Sequence, residues 1–591
     1  MIKHFKYMLC LFVFRYIIYI GGDYMYIRLT KAPYNRDYLV YLVEGYRDLE
    51  GKAKQRILKS YGHLSEFIKD NPKALEELKA WARVETERAR QKQYVTITFD
   101  MNDLQCGEQM PLNYGYVFLE AIYNELHISE FINKYQAKTN VSYSLDDILK
   151  LLVFSRSLNP ASKKRTYEQK GNYFFELPDF SLDDVYRSLS HLALMKDDLT
   201  LHIHNRIQET RGRDCSLVFY DVTNYYFESE HLEGLRQKGV SKENRETGIV
   251  QMGLFIDREG IPITYELFPG NTNDLATMKP ILQKIKKKYN LGKITIVADK
   301  GNNSGENLAY IDNEEDFYII SQRIRARGTE LANIVLDQED YVWNSDNTFK
   351  SKTVERERLV KRPDGSTYSI LEHLLCFWSK NEESYQRNKR GFLDDKIEKF
   401  INNPSLLNAS NSFGVKKYFK KMMIDKTTGE VLKTKPTYVF NQEKYERDLA
   451  LDGYYCIVTN DLSLEPLDII HHYHQLSKIE ESFKVTKTDL EGRPVYVWTD
   501  EHIKGHFLTC YLALTLYRIL QLKLDKPYPI HQLKEALNSA MAVKLEKDVF
   551  MLLDTSDVFH KVQGVYQINL LQKRMKVELL RNQLNKLKRN T

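Results

Sequence analysis

Cysteine is scarce in this chain. Its 591 residues include six cysteines, which are scattered along the sequence and never form a Cys-x-x-Cys pair. They are Cys10, Cys106, Cys215, Cys376, Cys456 and Cys510. Zinc ribbons and disulfide frameworks need closely and regularly spaced cysteines, so the sequence argues against both classes of protein. Dispersed cysteines are typical of proteins in a reducing cytosol.

Several catalytic signatures are also missing. The sequence has no Gly-x4-Gly-Lys-Ser/Thr loop and no Gly-x-Ser-x-Gly turn, which argues against a P-loop motor and a serine hydrolase. His502 and His506 have the spacing of a zinc-binding helix, but Ile503 stands where the metalloprotease motif has its glutamate. The histidines of segment 471–474 have no second cluster that would complete a zinc site.

The chain has little continuous hydrophobic sequence near its start. The run Tyr7–Ile20 spans about 14 residues and is interrupted by Arg15, which is short for a membrane span. The following Gly21-Gly22-Asp23 is a poor signal-cleavage site. Met25 opens a strand pattern, so we expect translation to begin there and residues 1–24 to be an upstream extension; an ordinary apolar segment and a targeting signal are the alternatives. We therefore expect no membrane association and a cytoplasmic location.

Apolar and aromatic residues, in contrast, are plentiful. Hydrophobic residues make up 42% of the chain, which includes 40 tyrosines and 27 phenylalanines. This composition excludes a disordered chain and is sufficient for several cores, so we expect about two to four domains. The net charge of +6 is only mildly basic and does not by itself indicate a nucleic-acid partner.

The first 210 residues change from a β pattern to a helical one. Residues 25–100 predict a small β-meander followed by a charged helix, and residues 101–210 predict mostly helices. Ser144-Leu-Asp-Asp147 is typical of a helix start, and Asn159-Pro160 should end that helix and open the next one. The second helix would carry the basic residues Lys163, Lys164 and Arg165. This pattern favours a helix-turn-helix-like DNA-binding region, with a plain helical bundle as the alternative.

From Cys215 onward, strand and helix patterns alternate. Over residues 211–321 a strand, a hairpin, a helix, a strand and a helix follow one another, which is the order of an RNase H-like core. Residues 322–450 interrupt this order with a mostly β insertion, and residues 451–530 resume it. Residues 531–591 should form a helical tail. The predicted fold class is therefore α/β: an RNase H-like catalytic core with a β insertion, preceded by the meander and the helical region.

Two aspartates end strand patterns in this core. Leu217–Tyr220 runs into Asp221, and Ile294–Ala298 runs into Asp299. A third carboxylate, Glu480, lies in a segment with helical spacing. Taken singly, an aspartate at a strand end is usually a cap or loop residue. Together, two strand-end aspartates and a helix glutamate suit a site for two hard divalent cations that promotes in-line attack on a phosphodiester.

The glutamate segment places polar residues beside the carboxylate. At about 100° per residue, four side chains fall on one helical stripe about 60° wide, next to an apolar stripe that should pack against the sheet. The four are Tyr473, Glu480, Lys484 and Lys487. The carboxylate would help to hold a cation, while the lysines and the tyrosine would engage DNA phosphates.

The same segment resembles a family signature. Tyr473-x2-Leu476-x3-Glu480-x6-Lys487 is similar to the Tyr-(2)-Arg-(3)-Glu-(6)-Lys signature of DDE transposases from bacterial insertion sequences. Further segments resemble one branch of that group, namely 219–226, 269–274, 297–301, 493–496 and 503–506. The resemblance extends roughly from Met25 to Asp525. It departs from the signature at Leu476, where the family has arginine. The phosphate contact expected there would be either lost or supplied by Lys484, Lys478 or Arg493.

The resemblance implies a fold, a cofactor and a reaction. It implies an RNase H-like catalytic domain with two Mg²⁺ (or Mn²⁺) ions held by Asp221, Asp299 and Glu480, and DNA-end contacts from Tyr473 and Lys487. The enzyme would nick double-stranded DNA at the element's terminal inverted repeats and then join the freed 3′-hydroxyl to target DNA. Pairing of two ends implies a homodimer on DNA, associated with the nucleoid when bound.

Two other hypotheses remain open at this point. The first is an RNase H-like nuclease that cleaves DNA without strand transfer. The second is a host-adapted DNA-binding protein that no longer cuts. The three carboxylates argue against the second, because a protein that only binds DNA does not need them.

Overall fold

The computed structural model describes most of the chain. It covers residues 24–32, 37–47, 53–91, 111–174, 178–240, 246–325, 330–362, 365–403, 414–424, 431–524, 528–546, 549–570 and 572–589. The proposed extension 1–24, apart from Tyr24, lies outside these residues. The segment 94–99, whose sequence pattern also predicts a strand, lies outside them as well. The chain divides into two compact units, one formed by Met1–Met110 with Leu545–Lys547 and one by the remainder.

The first unit is an antiparallel sheet with a helix packed on it. Its elements are β1 (Tyr24–Lys31), β2 (Tyr38–Arg47), β3 (Ala53–His63), α1 (Leu64–Phe67) and α2 (Ala74–Gln91). The strand order is β1-β2-β3, as expected for a meander. The hydroxyl of Thr86 on α2 accepts a 2.9 Å hydrogen bond from the Met25 amide, which joins the helix to β1. The charged helix is divided into α1 and α2.

The second unit contains fifteen described strands and sixteen described helices. The strands are β4 (Leu112–Asn113), β5 (Leu217–Tyr226), β6 (Ile249–Ile256), β7 (Pro262–Pro269), β8 (Thr295–Ala298), β9 (Phe317–Ser321), β10 (Val342–Trp343), β11 (Phe349–Lys361), β12 (Thr367–Ser379), β13 (Phe419–Ile424), β14 (Val431–Phe440), β15 (Tyr454–Thr459), β16 (Met541–Glu546), β17 (Val549–Leu552) and β18 (Arg574–Lys576). The helices are α3 (Val117–Glu125), α4 (Ile128–Gln136), α5 (Leu145–Leu158), α6 (Lys163–Glu168), α7 (Leu182–Arg211), α8 (Met278–Lys288), α9 (Gly305–Asn313), α10 (Glu330–Leu336), α11 (Lys380–Asn402), α12 (Gln442–Ala450), α13 (Pro466–His474), α14 (Ser477–Lys484), α15 (Asp500–Lys523), α16 (Ile530–Asn538), α17 (Asp557–Val565) and α18 (Val577–Arg589).

A nine-stranded mixed sheet forms the centre of this unit. Its order is β10-β11-β12-β15-β9-β8-β5-β6-β7. The three middle strands β5, β8 and β9 are parallel, and the β5-β6-β7 meander continues the sheet with antiparallel pairs. Helices cover both faces, as a parallel centre requires. The predicted α/β, RNase H-like core is confirmed.

The hydrophobic core lies on the two faces of this sheet. One face is covered by α5, α7, α14 and α15, and the other by α8, α9 and α10. The α15 helix is buried almost continuously from Ile503 to Leu520. Two buried polar residues of α15 bond to other segments: the His506 ring contacts the Gly492 carbonyl at 3.1 Å, and Arg518 donates to the Ser482 hydroxyl at 2.9 Å.

The helical region belongs to the same core as the sheet. The α5 helix begins at Leu145, where the Ser144 side chain accepts a hydrogen bond from the Asp147 amide, as the capping pattern predicts. The next helix does not begin at Pro160. The α6 helix starts after Ser162, whose side chain accepts from the Arg165 amide, and it has only six residues. This short helix is a poor fit to the long recognition helix of a helix-turn-helix pair.

The insertion only partly forms a separate structure. Its strands β11 and β12 pair with β15 and so extend the central sheet. The β13-β14 hairpin is a separate two-stranded sheet, which packs with α11 and α12 around a small core. The expected tail is also corrected, because residues 541–576 include the strands β16, β17 and β18 between helices. Among the described helices, none is both long and apolar enough to cross a membrane.

A buried ion pair fixes the end of α7 against the central meander. The Arg213 side chain donates to the Asp257 carboxylate at 2.7 Å and to the carbonyls of Ile261 and Pro262 at 2.8 and 2.7 Å. Both side chains of the pair are 1% exposed. Their charges are therefore matched by partners inside the protein.

We expect Arg213→Met to lower the free energy of unfolding by about 3–5 kcal/mol, because it leaves the Asp257 carboxylate buried without its cation. Urea unfolding followed by circular dichroism measures the change. Arg187→Met is the control, since Arg187 is 65% exposed and its ion pair with Asp183 should contribute less than about 1 kcal/mol. Equal effects of the two substitutions would contradict the prediction.

Candidate functional site

The two candidate aspartates lie side by side because β5 and β8 pair in parallel register. Tyr220 pairs with Ala298, so the next residues of the two strands, Asp221 and Asp299, are neighbours. Adjacent strands are about 5 Å apart, and side chains at paired positions of parallel strands leave the sheet on the same face. Both aspartates are half-buried.

Local hydrogen bonds orient both carboxylates. Each accepts a 2.7 Å bond from the backbone amide of the following residue, Val222 for Asp221 and Lys300 for Asp299. The third parallel strand, β9, ends at Ser321, whose hydroxyl donates to the Asp299 carboxylate at 3.3 Å. The carboxyl ends of β8 and β9 and the middle of β5 thus form one polar edge, which we call the carboxylate edge.

Glu480 lies next to this edge. The Tyr473 hydroxyl lies close to both Asp299 and Glu480. Burial is the main reason that the pKa of Tyr473 is raised to about 12, and the two carboxylates raise it as well. A hydrogen bond with the Ser321 hydroxyl lowers this pKa by a smaller amount. On either side of Glu480, Lys478 lies over the Phe219 ring and Lys487 bonds to β5. The α14 helix therefore runs along β5 past Asp221.

The segment that carries Glu480 is not one regular helix. It breaks between α13 and α14 at residues 475–476, and it widens into a π-helical turn over Val485–Asp489 after α14. The predicted single stripe therefore does not extend from Tyr473 to Lys487 as it would in an ideal helix. Wide turns of this kind are frequent at functional sites. Here the turn directs the Lys487 ammonium to the Thr223 hydroxyl at 2.6 Å.

Glu480 and its neighbour Glu481 have different surroundings. Arg518 on α15 donates to the Glu481 carboxylate at 3.2 Å and to the Ser482 hydroxyl at 2.9 Å. Arg518 is 7% exposed, so these bonds fix that side of α14 against α15. Glu480 lies on the other side of the helix, toward the carboxylate edge. The tertiary packing therefore distinguishes two glutamates that are adjacent in sequence.

The donor set suits a hard divalent cation in chemistry. Asp221, Asp299 and Glu480 supply carboxylate oxygens, which are the ligands that Mg²⁺ and Mn²⁺ favour. Within the described part of the chain, however, no three Asp, Glu, His or Cys side chains are grouped closely enough to hold an ion. The strand register fixes the aspartate pair, whereas Glu480 is exposed on a neighbouring helix.

A wide cleft of about 920 Å³ opens beside the two aspartates. Its walls include the residues that follow each of them, Val222–Asn224 and Lys300–Gly301, and the loop Gly270–Leu275. Three exposed cations that the sequence did not single out also line it, namely Lys238, Lys300 and Arg323. The motifs around residues 269–274 and 297–301 were the only sequence signal for this cleft.

Buried charges hold the Asp299 side of the cleft in place. Glu372 is 0% exposed and accepts hydrogen bonds from Arg356 and Arg358 on β11 and from the Tyr318 hydroxyl. Arg358 also donates at 3.0 Å to the Asn303 and Gln322 side chains, which line the cleft. The inserted strands therefore support the turn that follows Asp299.

The other predicted site residues occupy three different environments. Lys484 is exposed one turn after Glu480, and Arg493 lies over the Tyr226 ring with its guanidinium 5.7 Å from the ring centre. Lys164 and Arg165 are exposed on α6, but Lys163 is only 5% exposed. Lys163 is thus not on an outer basic face as the sequence suggests, because the first turn of α6 is packed into the protein.

The departure at Leu476 is explained by packing. Leu476 is 7% exposed and belongs to the hydrophobic core. Of the basic residues expected to replace an arginine there, Lys478 donates to the Arg258 carbonyl at 2.7 Å and to Gln475 at 2.9 Å. Lys484 and Arg493 therefore remain the better candidates for that contact.

Comparison with known proteins identifies a related family. Residues 216–516 match the family model of the transposase DDE domain, a span that contains Asp221, Asp299 and Glu480. Among solved structures, the chain is similar to a piggyBac transposase synaptic complex with hairpin DNA, with a TM-score of 0.33 and 9% identity, covering 80% of this chain and 84% of that one. It is also similar to a Mos1 transposase paired-end complex with the left transposon end, with a TM-score of 0.14 and 14% identity over 31% of this chain and 59% of that one. A Mos1 mariner paired-end complex with Mn has a TM-score of 0.13 and 14% identity over 30% and 59% of the two chains. No curated protein matches the chain significantly.

We expect Arg358→Met to loosen the turn after Asp299, because it removes the donors to Asn303 and Gln322. Amide hydrogen exchange in residues 300–304 should accelerate about tenfold or more, while exchange in β5 stays unchanged. Hydrogen-exchange mass spectrometry measures both regions. Lys361→Met on the same strand is the control, since Lys361 is exposed. Unchanged exchange at residues 300–304 would show that β11 does not support the turn.

Proposed function

Because this chain belongs to the transposase DDE domain family, we propose that Asp221, Asp299 and Glu480 are its catalytic carboxylates. The protein is a DNA transposase, an enzyme that binds and cleaves DNA with the help of a divalent metal ion. The observation that carries the assignment of residues is the parallel register of β5 and β8, which makes the two aspartates neighbours beside α14.

We propose that the resident metal is a pair of Mg²⁺ or Mn²⁺ ions. When bound, such ions lower the pKa of water and polarise a phosphoryl oxygen. The role of the protein is to position the metal-binding carboxylates. Asp221 and Asp299 present oriented carboxylates from fixed strands, and Glu480 approaches from α14. Without a cation, three clustered carboxylates would repel one another.

The surrounding cations would hold the DNA. Lys484, Lys487 and Arg493 follow Glu480 along the chain and lie beyond the carboxylate edge, while Tyr473 stands next to both Asp299 and Glu480. Lysine and arginine bind phosphate through charge-assisted hydrogen bonds. We propose that these four residues contact the element's end, with Lys164 and Arg165 as outer contacts. The cations of the neighbouring cleft, Lys238, Lys300 and Arg323, would bind the second DNA strand or the target.

The reaction would consist of two in-line phosphoryl transfers at the same edge. In the first, water attacks the phosphodiester at an end of the element and releases a 3′-hydroxyl. In the second, that hydroxyl attacks a phosphodiester of target DNA. Both depend mainly on positioning of the nucleophile and the phosphate, since no covalent protein intermediate is needed. We place this activity at the nucleoid, in the cytoplasm of a bacterial host.

We expect Glu480→Gln to reduce Mg²⁺-dependent nicking and joining of element-end DNA by about a thousandfold, because losing a metal ligand removes several kcal/mol of transition-state stabilisation. A gel assay with labelled DNA carrying the sequences that flank the coding region measures both products. The matched control is Glu481→Gln, which alters the neighbouring glutamate paired with Arg518. It should keep activity within about threefold of the wild type, since Glu481 is 45% exposed and the glutamine oxygen can still accept the hydrogen bond from Arg518.

The same assay separates the competing functions. If Glu480→Gln nicks and joins DNA as well as wild type, the carboxylate assignment is wrong. If the wild-type protein nicks DNA in Mg²⁺ but never joins a pre-cut 3′-hydroxyl end to a target, the protein is a nuclease without strand transfer. If it binds DNA and does neither, the host-adapted binding protein is the correct hypothesis.

We also propose that two copies of the chain act together, because transposition requires two element ends to be cut and joined in one place. Light scattering of the protein with element-end DNA should give a mass that corresponds to two chains and two DNA ends. The same protein with unrelated duplex DNA is the control and should not form that complex. A single chain on each end at all concentrations would contradict the proposal.

A further inference from the structure

A second cavity, of about 410 Å³, lies apart from the carboxylate edge. We call it the α6 cavity. It is enclosed by Pro160–Lys163 and Arg165 at the start of α6, by the loop Glu491–Val497, and by Arg156 and His506 from the helices behind. Cavities of this size hold small organic groups such as a phosphate with its attached sugar.

Lys163 is the unusual residue of this cavity. It lines the cavity although only 5% of its surface is exposed. Among the residues that the structure describes, it has no acidic partner and no hydrogen-bond acceptor for its ammonium group. Burial, together with the nearby Arg156, lowers the pKa of Lys163 to about 7. A buried cation without a partner is unfavourable, so the folded protein carries a penalty that a bound anion would remove.

The rest of the lining does not neutralise this charge. Arg156 and Arg493 add two guanidinium groups and Arg165 adds a third at the rim, whereas the only acidic residue of the lining is the exposed Glu491. Arg156 has a structural role, since it donates to the carbonyls of Leu490, Glu491 and Ala161 at 2.9–3.2 Å. It thereby fixes the cavity walls to each other and keeps its positive charge inside.

The α6 cavity is connected to the proposed active site through β5. The Val495 amide donates to the Tyr226 carbonyl at 3.0 Å, at the end of the strand that carries Asp221. Five residues of strand separate Asp221 from Tyr226, a distance of about 17 Å. The backbone charges of a DNA strand are spaced a few ångströms apart, so this distance corresponds to a few nucleotides. Tyr496, which is 59% exposed, forms an aromatic wall at the mouth.

We propose that the α6 cavity binds a backbone phosphate of DNA, a few nucleotides from the phosphate that reacts at the carboxylate edge. Lys163 and Arg165 contact the phosphate oxygens, and Tyr496 stacks on the adjoining sugar or base. This inference rests on the proposed function, because it takes DNA as the ligand. It assigns to Lys163 a buried phosphate contact in place of a position on an outer recognition helix.

The decisive variant is Lys163→Met, which keeps the length of the side chain and removes its charge. Binding of the full-length protein to a fluorescein-labelled DNA duplex of mixed sequence is measured by anisotropy over a series of salt concentrations, in EDTA. We expect affinity to fall about tenfold and the slope of log K against log salt to decrease by about one, as for the loss of one phosphate contact. The control is Lys138→Met, since Lys138 is an exposed lysine of the same helical region that does not line the cavity.

The same variant has an opposite effect on stability. Without DNA, we expect Lys163→Met to unfold at a higher urea concentration than wild type, because the buried unpartnered charge is gone. A lysine that merely supports the fold would lower the midpoint instead. If Lys163→Met does fold poorly, Arg165→Gln at the exposed rim replaces it in the binding assay and should also reduce the salt slope by about one. Binding and slope equal to those of the Lys138→Met control in both variants would overturn the proposal.

Two further measurements complete the test. The first distinguishes a DNA phosphate in the cavity from a free phosphate ion, and the second distinguishes failure of the cavity proposal from failure of the catalytic assignment. Inorganic phosphate alone should stabilise the wild type and should not stabilise Lys163→Met. If phosphate has this effect but Lys163→Met binds DNA as well as the Lys138→Met control, the cavity binds free phosphate and the DNA proposal fails. The cleavage assay of Glu480→Gln tests the catalytic carboxylates separately, because binding measured in EDTA does not depend on catalysis. If Lys163→Met loses DNA binding and Glu480→Gln still cleaves normally, only the catalytic assignment is rejected. If Lys163→Met binds DNA normally and Glu480→Gln does not cleave, only the proposal for the α6 cavity is rejected.

Discussion

The parallel register of β5, β8 and β9 is the constraint on which the proposed chemistry depends. Parallel strands end at the same edge of a sheet, and in register they bring paired side chains to the same face. Asp221, Asp299 and Ser321 are neighbours for this reason, although about 100 residues separate the first from the last. The connections that parallel strands require also place helices on both faces, and this leaves one edge of the sheet open to a ligand.

Buried charged residues divide into two groups that differ in how their charge is matched. Arg213 with Asp257, and Arg390 with Asp452, are pairs in which each partner is nine-tenths or more buried. Arg358 and Glu372 belong to a similar network. These groups join elements distant in sequence. Lys163 differs because its ammonium faces a cavity and lacks a partner within the described residues. A protein that tolerates such a penalty does so where a ligand supplies the missing charge.

The helical region and the catalytic sheet are best understood as one structure. Arg156 on α5 holds the loop that follows the π-helical turn, and Arg518 on α15 holds the back of α14. The segment carrying Glu480 is therefore fixed from both sides by helices, while Glu480 itself stays exposed. The position of the helix is thus set by packing, while the glutamate side chain remains accessible from solvent.

The sequence by itself determined the local elements and the candidate carboxylates. Apolar runs ending in Asp221 and Asp299 indicated buried strands because burial of a strand leaves a local apolar pattern. Ser144 correctly marked a helix start because a capping bond spans only three residues. The signature around Glu480 singled it out from Glu481 by spacing alone.

Only the tertiary structure decided the features that depend on distant partners. The α7 helix runs without a break for 30 residues, from Leu182 to Arg211, and its buried face packs on α15. Gly212 then ends it in a left-handed conformation. Lys163 is read as a surface charge from its neighbours Lys164 and Arg165, yet it is buried because Arg156 and the 490–497 loop cover it. Burial of a charge and the register between strands are set by residues far away in the chain, so no local pattern of amino acids contains them.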